Sequence, residues 1–402
     1  MPNDISPFTP GYPVPVEFFV GRKEQIDLLL NRIKSASDGK LQIAFLHGER
    51  GIGKSSLAYF VKRLIEIDHY FVGVHNYLGG VTSLTDMIRR IFDNLLNESI
   101  DKAWHKKIIQ FFGNHVKKVG FFGVSLELDS DQEDLEHIVT NFAPTLHKIT
   151  QQLKEVEKKG LLLILDDING LASSVEFANW IKSLVDTIAT SDKAIPLCLL
   201  LVGLEERRHS LIKLQPSLSR IFEIIDIAAW SDEETKEFFL EAFSKVNLDI
   251  ESEALNNLVF FAGGLPVMAH EIGDAVFNID QDNYIDEYDA INGIHNAADI
   301  VGRKHLEPQV FQAIQSQKYR LILTKVGTDP FGFEFQRKAV LEILGKPEEN
   351  VFDNFLKRMG DLGVIVRQPE KGKGFYKFSN RLHYLYFVME ATKTQKKHPS
   401  AK

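Results

Sequence analysis

Cysteine is almost missing from this chain of 402 residues: there is one, Cys198. A single thiol excludes an internal disulfide and a cysteine-ligated zinc site. Long apolar runs are missing as well. The longest, 161–165 and 195–204, fall far short of the roughly 20 residues that span a bilayer. The first residues, MPNDISPFTPGYPVPVEFF, lack the basic and apolar regions of a secretory leader, so a cytoplasmic protein is expected. The 13 histidines form no HExxH and no other ligand spacing, and no repeat recurs at a fixed period.

What is present is a globular composition, 44% hydrophobic and 25% charged. The charge is uneven. Net charge is −8, yet residues 301–402 hold 19 basic and 10 acidic side chains, a balance of +9. Two readings stand: a module that binds a polyanion such as duplex DNA, or a lysine-rich solvated face and tail.

Five of the 14 prolines lie in the first 15 residues, which predicts an extended arm over 1–16. Apolar strands then alternate with helices: strands at 42–46, 70–78, 161–165, 196–202 and 222–228, helices at 54–67 and 83–96. Near-continuous apolar strands of this kind predict an α/β core with a parallel sheet covered on both faces, over 17–229. An insertion at about 97–140 interrupts it and reads as a helix plus a hairpin. Helices at 232–245, 251–262 and 266–278 predict an all-α lid over 230–300, with Ser231 and Glu234 as a capping box. The stretch 279–310 reads as a polar linker or weak helix. Three helices and a hairpin predict a winged helix over 301–392, with Lys371, Lys373 and Lys377 on or beside the wing. The last residues, 391–402, are expected to be disordered, and 393–402 form a basic tail.

The strongest chemical signal is Gly48-Glu49-Arg50-Gly51-Ile52-Gly53-Lys54-Ser55, which fits G-x-x-x-x-G-K-[ST] between a strand and a helix. The glycines let backbone N–H groups curl inward, and the helix N-terminus adds partial positive charge where phosphates sit. Lys54 would reach the β- and γ-phosphates, Ser55 would coordinate Mg²⁺, and Ser56 would cap the phosphate nearest the helix. The run 161–165 ends in Asp166 and Asp167. Asp166 is placed to hold Mg²⁺ and Asp167 to orient water or to cap a helix. Strand 196–202 ends in glycine and leucine rather than a polar sensor, with Glu205 the nearest acid. Arg220, before the fifth strand, reads either as an arginine finger for a neighbouring subunit or as a surface ion-pair residue. In Gly263-Gly264-Leu265-Pro266 the glycines end one helix and the proline starts the next.

The series PxPVEFFVGRKEQIDLL, GERGIGKSS, LLLILDD, LLLVG, SLSRIFE and GGLP, followed by a winged helix, resembles the AAA+/STAND group of P-loop ATPases. Within that group it is similar to origin-recognition-like and archaeal-type members. The resemblance spans residues from about 12 to 390. It implies that Phe19, Val20, Gly21 and Arg22 frame an adenine, that Pro266 touches it from the lid, and that ATP rather than GTP is bound. An Asp-Asp pair replaces the Asp-Glu of most AAA+ motors, the first sensor lacks its polar residue, and GGLP stands where motors carry an arginine. These departures imply slow hydrolysis and an ATP-dependent switch. Two alternatives remain: a DNA-associated ATPase of the initiator, transposition-helper or defence type, and a nucleotide scaffold that never hydrolyses. Expected partners are an adenine nucleotide, duplex DNA or a protein through the C-terminal module, and a nucleotide-dependent homo-oligomer. No membrane is expected.

Overall fold

Strands β1 (Gln42–Gly48), β2 (Phe71–Tyr77), β3 (Gly160–Asp166), β4 (Leu197–Gly203) and β5 (Glu223–Ile227) form one sheet in the order β2-β3-β4-β1-β5. Every pairing in it is parallel. The reason is legible in the residues: β3 and β4 are buried along their whole length, as strands covered on both faces must be. The helix Lys54–Ile67 turns Leu57, Ala58, Val61 and Ile65 inward, one face of a 3.6-residue period. Cys198 packs mid-strand, and burial pushes its thiol up to about 12, as expected of a core residue.

The architecture comes from a computed structural model, which describes residues 5–12, 19–67, 71–97, 142–154, 157–191, 193–311, 316–326 and 332–397. The expected hairpin within 97–140 lies outside the described residues. The chain divides into two compact units, one of residues 13–228 and one of residues 1–12 with 229–402. Among the described residues no helix is long and apolar enough to cross a membrane.

In the second unit, Asp232–Ser244 begins with the expected capping box: Ser231 accepts from the Glu234 N–H, and Glu234 accepts from the Ser231 N–H. Ser252–Ala262 and Pro266–Phe277 follow. β6 (Asp249–Ile250), just before the first of these two, pairs in parallel with β7 (Tyr284–Ile285), after the second. Of the two readings of 279–310, linker or weak helix, the helical one holds for its middle. Residues 287–301 form a regular helix, capped by Asp286, that buries Ala290, Gly293, Ile294, Ala297, Ala298 and Val301. Further on, Gln317–Val326, Arg337–Ile343 and Phe352–Asp361 precede an antiparallel sheet in which β10 (Phe375–Phe378) lies between β8 (Glu334–Gln336) and β9 (Ile365–Arg367). This is the three-helix and hairpin order expected, with β8 as an additional strand. The last helix runs from Arg381 to Lys397, so the expected disorder does not begin at 391.

The N-terminal arm departs from the extended conformation that its prolines suggest. Residues 9–12 turn, with the Tyr12 N–H donating to the Thr9 carbonyl at 3.2 Å. Phe8 is buried against Phe238, Phe239, Phe243 and His270, all of the helical unit. Gly273 makes room for it: a Cβ there would lie 2.3 Å from the Phe8 ring. A buried phenylalanine truncated to alanine costs roughly 3–5 kcal/mol. Phe8→Ala should therefore lower amide hydrogen-exchange protection across helices 232–244 and 266–277 and leave the parallel sheet unchanged.

Candidate functional site

The glycine-rich loop joins β1 to Lys54–Ile67 at the C-terminal edge of the sheet. Gly51 and Gly53 have φ of 77° and 92°, a region that other L-residues rarely adopt, and this gives the loop its inward curl. Lys54 Nζ donates to the carbonyls of Gly48, at 2.9 Å, and Glu49, at 2.6 Å. Burial holds the Lys54 ammonium below the ordinary lysine value, while the carboxylates of Asp166 and Asp167 act in the opposite sense. The acid pair is thus within electrostatic reach of the loop, although β4 lies between β1 and β3.

The loop is anchored from the side. Arg22 sits in the left-handed region, φ 64°, and is buried. Its guanidinium donates to the Ala228 carbonyl at 2.6 Å and to the Ile52 carbonyl, inside the loop, at 3.4 Å. Phe19 stacks on Phe60 of the helix that follows the loop, centroids 4.3 Å apart, and Val20 is buried. The segment Phe19-Val20-Gly21-Arg22 therefore lies against the loop and its helix.

Asp166 ends β3 and is 2% exposed. Its Oδ2 lies 2.9 Å from Nε2 of His75, on the neighbouring strand β2. Asp167 is exposed, in the left-handed region at φ 58°, and precedes a short 3₁₀ turn, Ile168–Gly170, without capping it. Its carboxylate instead accepts from Asn169. A non-glycine residue held in this conformation stores strain, a feature common at functional positions. A Cβ added to Gly79, in the loop after β2, would come 3.0 Å from Asp167 Oδ2, so the loops after β2 and β3 meet at this edge.

Among the described residues no set of three His, Cys, Asp or Glu could hold a metal unaided. Asp166 is a buried carboxylate whose ion-pair partner is an imidazole rather than a lysine or arginine. A buried carboxylate of this kind, with an oxygen still to satisfy, suits a cation. Mg²⁺ takes few protein ligands and completes its shell with water and phosphate oxygens, so Asp166 with the Ser55 hydroxyl fits it.

The remaining candidates fall elsewhere. Glu205 pairs with Arg208 at 3.3 Å. Arg220 is exposed in the turn Pro216–Arg220 and lines a cavity of about 470 Å³ with Arg32, Lys40, Gln42, Phe222 and Glu223. This cavity opens where β1 and β5 begin, about 20 Å along β1 from the glycine-rich loop at ~3.3 Å per residue. Arg220 therefore does not serve its own chain's loop. Pro266 is the first residue of its helix, after the glycines at 263 and 264, both at positive φ.

Residues 19–212 match the family model described as the AAA ATPase domain. The fold of this segment, with the helical and C-terminal parts that follow it, also occurs in solved structures. The ORC2 protein of Aeropyrum pernix, in ADPNP-ADP complexes, superposes with a TM-score of 0.58 at 13% identity, over 94% of each chain. The Walker-type ATPase of Pyrococcus abyssi does so with a TM-score of 0.54 at 14% identity, over 92% of this chain and 96% of that one. At such identities the likeness is one of fold. No curated protein matches the sequence.

Within residues 19–212, His75, Gly79 and Asn169 adjoin the acid pair, and the sequence motifs do not single them out. The one signal for them in the sequence is an unexplained histidine in an apolar strand.

Proposed function

We propose that the chain is an ATP-binding, magnesium-dependent ATPase of low turnover that works as a molecular switch. The observation that carries this reading is the Lys54 ammonium, held on the curled loop and under the influence of the Asp166 and Asp167 carboxylates. The loop N–H groups and Lys54 bind the β- and γ-phosphates, replacing the two loop carbonyls as partners of the ammonium. Ser55 and Asp166 would hold Mg²⁺, which neutralises charge on the phosphate oxygens. Asp167 orients the attacking water through the oxygen that Asn169 does not occupy. Phe19, Val20, Gly21 and Arg22 frame the adenine, and Pro266 remains the lid residue that the resemblance supplies. Ser56, Glu49, Arg50 and Ile52 complete the phosphate cradle, through backbone groups and the Ser56 hydroxyl.

Low turnover follows from chemistry. Aspartate is one methylene shorter than the glutamate of motors, and β4 ends in Gly203 and Leu204 with no polar sensor. The chain crosses between its two units twice, between 12 and 13 and between 228 and 229. Nucleotide state shifts their arrangement only by as much as its affinity differs between the two arrangements. ADP in Mg²⁺ should leave the particle's size unchanged, while a non-hydrolysable ATP analogue should drive assembly, with Arg220 serving the neighbour.

Asp167→Ala is expected to lower multi-turnover phosphate release by roughly 100-fold, the scale of a lost general-base or water-positioning group. Nucleotide affinity should be retained. Turnover unchanged by this substitution, yet removed by Lys54→Ala, would exclude the role given to Asp167. An absence of phosphate release above background would favour the scaffold alternative.

The DNA alternative has the +9 balance behind it. Lys371 pairs with Glu334 and Arg337 with Asp353, so two of those cations are already matched. Duplex affinity that falls steeply with salt would support it, and no binding at low salt would remove it.

A further inference from the structure

His75 has no place in the sequence motifs, yet it makes the one described ion-pair contact of Asp166. The contact follows from register. Strands β2 and β3 are parallel with His75 opposite Ile164 and Tyr77 opposite Asp166, so the His75 side chain lies on the face of Asp166, two positions back. Both side chains are 3% exposed. A carboxylate only accepts, so Nε2 carries a proton and donates across the 2.9 Å to Oδ2. Nδ1, the other ring nitrogen, is buried without a partner among the described residues.

That arrangement is not what stability alone selects. An unsatisfied buried polar atom is unfavourable, and an apolar side chain of similar volume would avoid it. The imidazole is nevertheless firmly held. Tyr77 stacks on it with centroids 4.3 Å apart at 20°. The next residue, Asn76, is fully buried, donates to the Ile164 carbonyl at 3.1 Å, and accepts from Asn94 at 2.9 Å. Strand β2 is thus fixed to β3 beside His75, and the donor cannot swing away from the carboxylate. Partners of this kind fix the direction of a metal-binding group and its lone pairs, and losing them typically weakens metal affinity 10–100-fold.

We propose that His75 is a positioning residue for Asp166: by occupying Oδ2 it directs the remaining carboxylate oxygen, and so sets the Mg²⁺ concentration at which nucleotide is bound. The inference rests on the ATPase reading above and adds to it a residue outside the family's motifs.

The test is a Mg²⁺ titration of fluorescent ATP-analogue binding to the full chain, read as affinity and not as turnover. His75→Leu should raise the half-saturating Mg²⁺ concentration by about 10-fold or more and leave binding in excess chelator unchanged. His75→Gln carries an N–H at the Nε2 position and should restore most of the metal dependence. A Leu variant that titrates like the wild type overturns the proposal. So does one that loses affinity equally with and without Mg²⁺, because that is a merely structural effect. Should His75→Leu fail to fold by circular dichroism, Gln and Asn replace it in the comparison: Gln reaches Oδ2 and Asn does not, and equal titrations of the two overturn the proposal. A wild-type chain without Mg²⁺-dependent binding removes the ATPase reading and this inference together. Wild-type dependence that the Leu variant fully retains removes this inference alone.

Discussion

Lys54→Ala is expected to weaken binding of adenine triphosphate by about 100-fold or more, ~2.7 kcal/mol, as isothermal titration calorimetry in Mg²⁺ would read it. The ammonium is the loop's own point charge, and in this structure it rests on the carbonyls of Gly48 and Glu49. A bound phosphate oxygen is a stronger partner than either carbonyl, because it sets a full negative charge opposite the ammonium. Truncation to a methyl removes that gain and leaves the loop's shape intact, since Gly51, Gly53 and the Arg22 contact to Ile52 set the shape. A variant with unchanged melting temperature and lost affinity is the expected pair of results. Equal affinity in wild type and variant would remove the phosphate role of the loop.

The same ammonium gives a direction for pH. Burial lowers the Lys54 value from that of a solvated lysine. Affinity for triphosphate should therefore begin to fall at a lower alkaline pH than a fully hydrated lysine would allow. Nucleotide phosphates next to the ammonium raise its value again, so the affinity falls over the pH interval between the free and the bound values.

Much of this site is legible in the amino-acid sequence alone. Five of its parts announce themselves locally: the glycine spacing of the loop, the apolar runs of β1, β3 and β4, and the acids that close β3. Local signals carry these because each depends on neighbours in the chain: a curl needs its own glycines, and a doubly covered strand needs its own apolar residues. What escapes depends on register or on distant segments. His75 meets Asp166 across 91 positions of sequence, and nothing near His75 fixes which strand becomes its neighbour. Arg22 reads as part of an adenine frame, whereas its guanidinium also ties Ile52 to Ala228, 206 positions away from it.

The helix at 287–301 is hidden for another reason. Its buried face is Ala290, Gly293, Ile294, Ala297 and Ala298, mostly small residues whose weak hydrophobic signal leaves linker and weak helix both open. Small residues serve here by letting backbones approach: a Cβ on Gly293 would lie 2.2 Å from Val276 of the preceding helix. The three-residue strand β8 is too short to show alternation at all.

The second large effect is expected in acid. His270 is buried among Phe8 and Phe238, and its Nδ1 accepts the Thr9 N–H at 3.1 Å. That hydrogen bond requires the unprotonated Nδ1, and burial lowers the imidazole from 6.5 to about 4. Above pH 6.5 the ring is neutral in the folded and unfolded chains alike, and the full stability of the helical unit is present. As pH falls below 6.5 the unfolded chain gains a proton that the folded one refuses. Stability then declines by ~1.4 kcal/mol per unit, to a loss of about 3 kcal/mol near pH 4. The first element released should be the arm at residues 5–12, because protonating Nδ1 removes the acceptor of the Thr9 N–H and places a charge beside Phe8. His270→Asn keeps an uncharged acceptor near the Nδ1 position and removes the titration. Urea midpoints for the helical unit at pH 7, 5.5 and 4.5 should diverge, with the wild type losing more than the variant. Parallel declines would assign the acid sensitivity to carboxylates elsewhere and leave His270 as a packing residue whose proton is of no consequence to the arm.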